Sequence, residues 1–195
     1  MNHLIVYSHP NPQSFNQAIK ETLAKRLLEK GAEVRIRDLY ALNFDPVLSA
    51  RDLAAFHSGR IPDDIKAEQE HVRWADVMTF ICPVWWGGFT ANLRGYFDRV
   101  FSLGFAYAYT SNGPLGLLKG KKAYLINTLG APAQEYERSG MFKSMKQTMD
   151  DVIFDFCGVE VIGHTYFGSV GTCSDQERKS MLGDVQTVAD RIVAG

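Results

Sequence analysis

The stretch of residues 77–101 constrains the fold more than any other part of this chain, because two hydrophobic patterns meet there across a short turn. Its first six residues, 77–82, are almost entirely apolar, which is typical of a strand buried on both faces. Pro83 lacks the backbone N–H that a sheet ladder needs, so the strand is predicted to end there. From Phe89 onward the apolar residues have helical spacing, at Leu93, Tyr96, Phe97, Val100 and Phe101.

Between this strand and helix lies a turn that contains two tryptophans and two glycines, residues 85–88. In open parallel sheets, ligands bind at the loops that follow the carboxyl ends of the strands. A tryptophan pair at such a place either packs into the core or forms a floor for a flat aromatic ligand. The stretch alone leaves both interpretations open.

The rest of the chain repeats this alternation of strand and helix. Apolar or alternating runs predict further strands at residues 4–7, 33–39, 122–128 and 159–167. Helical spacing and capping boxes at Ser14 and Ser174 predict further helices that begin near residues 14, 65, 141 and 174. The third of these is predicted over residues 141–157, with one apolar face made of Phe142, Met145, Met149, Val152 and Phe156. The connections 40–64, 105–116 and 129–140 are predicted as loops or turns, and the first is long enough to be functional or to contain short helices.

Five strands that alternate with five helices predict a three-layer α/β fold, in which helices cover both faces of a parallel sheet. For five strands we expect the flavodoxin-like order 2-1-3-4-5, in a single domain that spans residues 1–195. The topological switch point then lies between strands one and three. Residues 8–16 and 83–88 are therefore expected to border one crevice.

Composition excludes several classes of function. The net charge is -1, with 21 basic and 22 acidic residues, so no basic face for nucleic acid is implied. The three cysteines are widely spaced and form no CxxC pair, which argues against a metal site or a disulfide framework. No apolar run approaches the ~20 residues of a membrane span, and the first residues do not resemble a signal peptide. A cytoplasmic protein without a membrane span is expected.

The loop after the first strand carries polar groups at the start of a helix. His9, Ser14 and Asn16 lie there with the unpaired first amides of the helix, an arrangement that attracts phosphate. Two simpler interpretations remain open, because Ser14 can merely cap its helix and His9 can be a solvated loop residue. A glycine-rich dinucleotide fingerprint and a Walker A motif are both absent. A third loop follows the strand predicted at residues 122–128 and lies over the same edge of the sheet. Three such loops around a crevice suit a phosphorylated planar cofactor.

The chain resembles a known family, the flavodoxin-like NAD(P)H:quinone oxidoreductases of the DT-diaphorase type. The matching residues follow one another along the whole chain, which is more specific than any single motif. They are Ser8-His9, Ser14-Phe15-Asn16, Leu39-Tyr40-Ala41, Asn43-Phe44, Pro46, Glu68-Gln69, Ala75-Asp76, Pro83, Trp86, Gly88, Phe97, Arg99-Val100-Phe101, the run from Phe105 to Tyr109, Thr128, Gly130, Tyr136 and Phe156-Cys157-Gly158.

The resemblance implies a flavin cofactor, FAD in preference to FMN, with NADH or NADPH as electron donor. It implies ping-pong hydride transfer through the flavin to quinones or similar flat electrophiles. It also implies a homodimer with active sites at the subunit interface.

The resemblance further assigns roles to individual residues. It implies that the phosphates and ribityl end of the flavin are held by His9, Ser14, Phe15 and Asn16. It implies that the ring is lined by Pro83, Val84, Trp85, Trp86 and Gly87, and covered on its other side by Thr128, Leu129 and Gly130. It implies that Tyr136 stabilises the reduced ring at its pyrimidine end, and that Tyr107 and Tyr109 reach the substrate pocket from the partner subunit.

Two departures from the family pattern stand out. Mammalian-type members have a histidine six residues after the tyrosine that matches Tyr136, and here that position is Phe142, or its neighbours Met141 and Lys143 if the loop is shifted. The loop after the second strand is shorter than in those members, and their C-terminal extension is absent. Because these segments affect adenine contacts and pocket closure, the choice between FAD and FMN stays open.

Two other functions are compatible with this fold. Some relatives are flavin-binding ancillary subunits of potassium-efflux systems, although no docking surface is visible in the sequence. A flavodoxin-type electron carrier is the third possibility. Carriers of that type are strongly acidic and have a hydroxyl-rich phosphate loop, so the net charge of -1 and the loop Ser8-His9-Pro10-Asn11-Pro12 argue against it.

Overall fold

A five-stranded parallel sheet forms the central layer of the computed structural model, which describes residues 1–195. The seven strands are β1 (Asn2–Tyr7), β2 (Glu33–Asp38), β3 (Val77–Pro83), β4 (Tyr107–Thr110), β5 (Gly113–Gly116), β6 (Lys122–Thr128) and β7 (Glu160–Phe167). The sheet has the order β2-β1-β3-β6-β7, while β4 and β5 pair with each other as an antiparallel hairpin outside it. Counted within the sheet alone, this is the predicted order 2-1-3-4-5.

Helices cover both faces of the sheet. They are α1 (Phe15–Glu29), α2 (Ala50–His57), α3 (Asp63–Trp74), α4 (Ala91–Val100), α5 (Ala133–Arg138), α6 (Met141–Met145) and α7 (Asp175–Ala194), and a π-helix (Lys146–Asp155) continues α6. Helices α1 and α7 bury leucine, isoleucine and valine side chains against one face. Helices α3 and α4 and the π-helix bury the larger, aromatic-rich cluster on the other. No helix combines the length and apolar character that crossing a bilayer requires.

The stretch of residues 77–101 has the predicted strand, turn and helix. Every residue of β3 is buried, as expected of a central strand in a parallel sheet. The Thr90 hydroxyl accepts a hydrogen bond from the Leu93 N–H and so caps α4, which begins two residues after Phe89. This arrangement fixes the turn 84–90 between two rigid elements.

Three predicted loops contain regular structure. Residues 40–64 include α2, which a Ser49–Asp52 capping box starts. Residues 105–116 form the β4–β5 hairpin, because Tyr107 and Tyr109 favour extended backbone and pair across a short turn with Gly116 and Pro114. Residues 129–140 include α5, which buries none of its side chains and therefore has no apolar period to reveal it.

The helix predicted over residues 141–157 exists, but its apolar face differs from the prediction. We expected Val152 and Phe156 to share a face with Met145 and Met149. In the structure Met145 and Met149 are buried, whereas Val152 and Phe156 are exposed. In the π-helix the buried residues are Met149, Asp150, Ile153 and Phe154, so the buried face lies away from Val152 and Phe156.

A buried arginine fastens the 40–64 connection to the rest of the molecule. Arg99 on α4 donates from Nε and Nη2 to both carboxylate oxygens of Asp52, each at 3.1 Å. Its Nη1 donates to the Asp45 carbonyl at 2.9 Å and to Asp64 at 2.7 Å. Next to it, a Cβ on Gly95 would lie 2.1 Å from the Pro46 carbonyl oxygen, so only glycine permits this approach. The connection is therefore an ordered strap.

A buried histidine makes stability depend on pH. His3 in β1 has no exposed surface, its Nε2 lies 2.9 Å from Thr79 Oγ1, and burial lowers its pKa to about 4. The unfolded chain has an ordinary histidine pKa near 6.5, so it binds the proton more readily than the folded chain does. We therefore expect His3 to reduce the free energy of unfolding by ~3 kcal/mol as the pH falls from about 6.5 to about 4.

Denaturant unfolding at several pH values checks this expectation. His3→Asn should flatten the pH dependence in that window, with the remaining slope coming from groups such as His71, whose pKa burial also lowers. His57→Asn is the matched control, because His57 is exposed at the end of α2. If the free energy of unfolding changed with pH equally in His3→Asn and in the unaltered protein, His3 would not be the source of the pH dependence.

Candidate functional site

Three loops meet at the carboxyl edge of the sheet, where β1 and β3 are neighbours. Ser8 Oγ in the first loop lies 2.8 Å from Thr90 Oγ1 at the start of α4. Asn16 Nδ2 donates to Thr128 Oγ1 at the end of β6, also at 2.8 Å. All four side chains are buried. These two bonds tie the three loops into one edge, at the position that the strand order predicts for a ligand.

A cleft of about 530 Å³ opens between these loops. Nine of the residues singled out from the sequence line it: His9, Pro83, Val84, Trp85, Trp86, Thr128, Leu129, Gly130 and Tyr136. Ala131, Val170 and Gly171 line it too, and these were not foreseen. Because β7 neighbours β6, the rule that places ligands at strand ends also points to the loop after β7. No Asp, Glu, Lys or Arg side chain belongs to the lining, which suits a flat and largely apolar ligand.

The tryptophan pair belongs to the cleft and not to the core. Trp85 is 45% exposed and Trp86 is fully exposed, which excludes core packing. Trp85 and Gly88 exchange two backbone hydrogen bonds of 3.2 Å, and both residues between them have positive φ, 53° at Trp86 and 71° at Gly87. This is a type I′ hairpin turn, which normally carries Asn-Gly. A tryptophan in that strained conformation is uncommon and points to function.

The first loop presents hydrogen-bond donors and acceptors that the protein does not use. Ser14 Oγ accepts from the Gln17 N–H, so Ser14 is the helix cap, but Gln17 bonds to Glu21 instead of completing the capping box. The backbone N–H groups of Phe15 and Asn16 have no acceptor in the protein, and Asn16 Oδ1 is buried without a partner. The two N–H groups lie at the positive end of α1, which suits a phosphate, whereas Asn16 Oδ1 is an acceptor and requires a donor from a ligand.

His9 borders both the first loop and the cleft. Its Nδ1 lies 3.0 Å from the Asn11 backbone nitrogen and 3.2 Å from the Asn11 carbonyl oxygen, so the ring is held against its own loop. The imidazole lies 6.1 Å from the Trp85 ring, between centroids. Phe15 packs away from the cleft, edge-on against Phe167. Of the predicted phosphate-loop side chains, Ser14, Phe15 and Asn16 therefore lie beside the cleft, and His9 lies in its wall.

Tyr136 stands on α5 at the outer end of the cleft. Its hydroxyl makes no hydrogen bond within the protein, and its ring stacks on Phe142 with centroids 5.6 Å apart. A shallower cavity of about 390 Å³ shares Ala131 and Tyr136 with the cleft and extends past Glu135 and Arg138. Tyr136 thus stands at the boundary between the two cavities and has a free phenol O–H to donate.

Tyr107 and Tyr109 do not reach this cleft within one chain. Tyr107 lines a separate groove of about 220 Å³ with Phe101 and Phe156. Tyr109 is 69% exposed at the hairpin, with its ring 5.8 Å from that of Tyr107.

Comparisons with known proteins agree with this geometry. Residues 1–189 match the family described as having a flavodoxin-like fold. The chain is 39% identical over 183 residues to an NAD(P)H oxidoreductase of Haemophilus influenzae named as uncharacterized, covering 93% of this chain and 91% of the relative. It is 34% identical over 199 residues to NAD(P)H dehydrogenase [quinone] 1 of Rattus norvegicus, covering 92% and 73%. The solved NAD(P)H:quinone oxidoreductase of Methanothermobacter marburgensis is 27% identical with a TM-score of 0.86, covering 97% of each chain.

Proposed function

Because the chain belongs to the flavodoxin-like NAD(P)H:quinone oxidoreductase family, we propose that it is a flavin-dependent NAD(P)H dehydrogenase (quinone). The observation that carries this proposal is the cleft, in which an apolar slot lies beside unused donors at the start of α1. An apolar slot suits an isoalloxazine ring, and the donors suit its phosphate. We propose FAD as the cofactor, with FMN as the alternative.

The bound flavin would supply the redox chemistry, accepting a hydride from NAD(P)H and passing two electrons to a quinone or similar flat electrophile. The α1 N-terminus, with Ser14 and Asn16, holds the phosphate. Residues 83–86 and 128–130, which line the cleft, would flank the two sides of the ring, and Gly87 lies next to them in the adjoining cavity. The backbone N–H groups of Trp86, Gly87 and Gly130 have no protein acceptor and are available to polar atoms at the ring edge.

NAD(P)H, the electron donor, and the quinone, the electron acceptor, are proposed to bind in turn at the same open end of the cleft. A ping-pong reaction requires this alternation at one site. Steady-state turnover of NAD(P)H with a soluble quinone tests the activity, and parallel lines in double-reciprocal plots would support alternation. A flavin-loaded protein that consumes no NAD(P)H in the presence of quinone would leave only a carrier or an ancillary subunit as its function.

We further propose that two copies complete each site. Exposed apolar side chains cluster around the hairpin and the π-helix, including Tyr109, Leu115, Leu117, Val152 and Phe156. A face of this kind is typical of homodimer interfaces, and the occupant we propose is a second copy of this chain. Tyr107 and Tyr109 would then border the substrate pocket of the partner. A monomer in ultracentrifugation that retains full activity would contradict this arrangement.

Tyr136 is proposed to tune the reduced flavin by donating its phenol O–H toward the negative charge that develops on the ring. We expect Tyr136→Phe to slow flavin reduction by NAD(P)H roughly tenfold or more, while flavin affinity changes little. Stopped-flow absorbance measures the rate. Tyr40→Phe is the control, because Tyr40 is a partly exposed tyrosine of the 40–64 connection outside the cleft. An unchanged reduction rate in Tyr136→Phe would make this residue a packing group, and Arg138→Ala would then test the remaining nearby charge.

A further inference from the structure

A buried chain of polar side chains crosses the sheet directly behind the cleft. Asp150 on the π-helix lies 2.9 Å from His164 Nδ1 on β7, and His164 Nε2 lies 2.7 Å from Asn127 Oδ1 on β6. Asn127 Nδ2 then reaches the Cys82 carbonyl oxygen on β3 at 2.8 Å. The side chains of Asp150 and His164 are only 6% and 8% exposed.

The hydrogen bonds determine where the protons lie. The Cys82 carbonyl only accepts, so the Asn127 atom that faces it is the amide nitrogen, and Asn127 presents its oxygen to His164. His164 Nε2 must therefore carry a proton. A second proton must lie between Nδ1 and the Asp150 carboxylate, because neither group could otherwise donate. Two arrangements meet this count, an imidazolium beside a carboxylate and a neutral imidazole beside a protonated Asp150, and they differ only in the side of the hydrogen bond on which the proton lies.

Other groups near the pair leave this count unchanged. The Tyr166 hydroxyl oxygen on β7 lies 3.1 Å from Nδ1, and burial together with the Asp150 charge raises the pKa of the phenol, so it stays protonated and its oxygen can accept from an N–H at Nδ1. Lys146 on the π-helix borders the same cavity but pairs with the exposed Asp151. The neighbouring strand β6 contributes only the neutral Asn127. Asp150 is therefore the one carboxylate bonded to the imidazole.

From His164, two lines of contact run to opposite walls of the cleft. Through Asn127, the first reaches the Cys82 carbonyl, immediately before Pro83 and the tryptophan turn. The second is a row of stacked rings in which His164 lies 3.9 Å from Tyr166, Tyr166 lies 4.5 Å from Phe142, and Phe142 lies 5.6 Å from Tyr136. The His164 imidazole is thus linked through Asn127 to the strand end before the tryptophan turn, and through Tyr166 and Phe142 to Tyr136.

We propose that His164, held as an imidazolium by Asp150, is a positioning residue that fixes the two walls of the flavin cleft relative to each other. The expected effect on flavin binding rests on the proposed function, whereas the contacts made by His164 do not depend on it. A buried ion pair is on average no more stabilising than an apolar pair of the same size. Stability alone therefore does not account for an ion pair at the junction of the two walls.

The first experiment uses the flavin-free protein with ¹⁵N-labelled histidine and tryptophan side chains. We expect NMR to detect protons on both ring nitrogens of His164 at pH 7, and on only one in Asp150→Asn. His164→Leu should shift the indole N–H resonances of Trp85 and Trp86 but not that of Trp74, which lies on α3 away from the cleft. His164→Gln offers an amide N–H to Asn127 and should return those resonances toward their original positions.

The second experiment titrates each variant with FAD and with FMN. His164→Leu should weaken flavin binding about 30-fold, and His164→Gln should recover most of that loss. His71→Leu on α3 is the control and should bind flavin normally, because His71 lies outside the cleft. Should His164→Leu not fold, Asp150→Asn must still lose one ring proton and shift the two indole resonances.

The two experiments separate this inference from the proposed function. Unchanged indole resonances and unchanged flavin affinity in a folded His164→Leu would overturn the positioning role, as would a singly protonated His164. If the unaltered protein binds no flavin, the proposed function fails, while the resonances of the flavin-free protein still decide whether His164 sets the turn.

Discussion

Replacing Arg99 by methionine is expected to lower the free energy of unfolding by ~3–5 kcal/mol, the usual effect of removing one partner from a buried ion pair. The Arg99 and Asp52 side chains are 5% and 6% exposed. Methionine fills a similar volume but leaves the Asp52 carboxylate and the Asp45 carbonyl without their donors. Hydrogen bonds from Arg99 hold the pKa of Asp52 below its usual value. Without Arg99 the main lowering influence is gone and burial raises that pKa, so the variant must either keep an unpaired buried charge or protonate the carboxyl group.

Denaturant unfolding at pH 7 measures the effect. Arg94→Met is the matched control on the same helix, since Arg94 forms an exposed pair with Asp98 and should change stability by less than about 0.5 kcal/mol. The double variant Arg99→Met, Asp52→Leu should recover part of the loss, because it removes the unpaired carboxyl group. A loss below about 1 kcal/mol in Arg99→Met would mean that the 40–64 connection is fastened by Gly95 and its neighbours instead.

Replacing Asn16 by aspartate is expected to weaken flavin binding by about 100-fold. Aspartate has nearly the same shape and can still bond to Thr128, whose hydroxyl rotates to donate. It adds a negative charge beside the unpaired amides of α1, where the phosphate is proposed to lie. Two like charges ~5 Å apart at an effective dielectric constant of ~20 repel by ~3 kcal/mol, which corresponds to the stated loss.

Fluorescence titration with FAD and FMN measures this affinity. Asn11→Asp makes the same change in the same loop, but Asn11 is exposed and should lose much less affinity. Raising the salt concentration should affect the exposed variant more than the buried one. If Asn16→Asp and the unaltered protein bound flavin with equal affinity, the phosphate would not bind at the start of α1.

The central strands β1, β3 and β6 were predictable because they are buried on both faces and read as apolar runs between turn residues, whereas the edge strands β2 and β7 are only partly buried. The limits of β6 agree with the prediction, and β3 extends it by only one residue. Elements outside the sheet were not predictable by the same signal. Helix α5 buries no side chain, and the π-helix departs from the period on which helical patterns depend. The strap depends on Arg99 meeting Asp45, Asp52 and Asp64, contacts that the sequence spacing does not encode.

For the candidate site, the rule for parallel sheets brought His9, Trp85 and Thr128 to one edge without further information. It could not decide whether the tryptophans faced the core, because that depends on the positive φ of Trp86 and Gly87. Nor could it pair Asp150 with His164. Their contact results from the register of β7 and the wide π-helix, which only the three-dimensional structure contains.

The most direct test of the account is an anaerobic redox cycle followed in the flavin absorption bands. The protein, reconstituted with FAD or FMN, is expected to lose those bands on adding one equivalent of NADH or NADPH and to regain them on adding one equivalent of a soluble quinone. Mass spectrometry of the released cofactor then identifies the flavin that the protein prefers. A folded protein that takes up neither flavin, or whose bound flavin neither pyridine nucleotide reduces, would contradict the account.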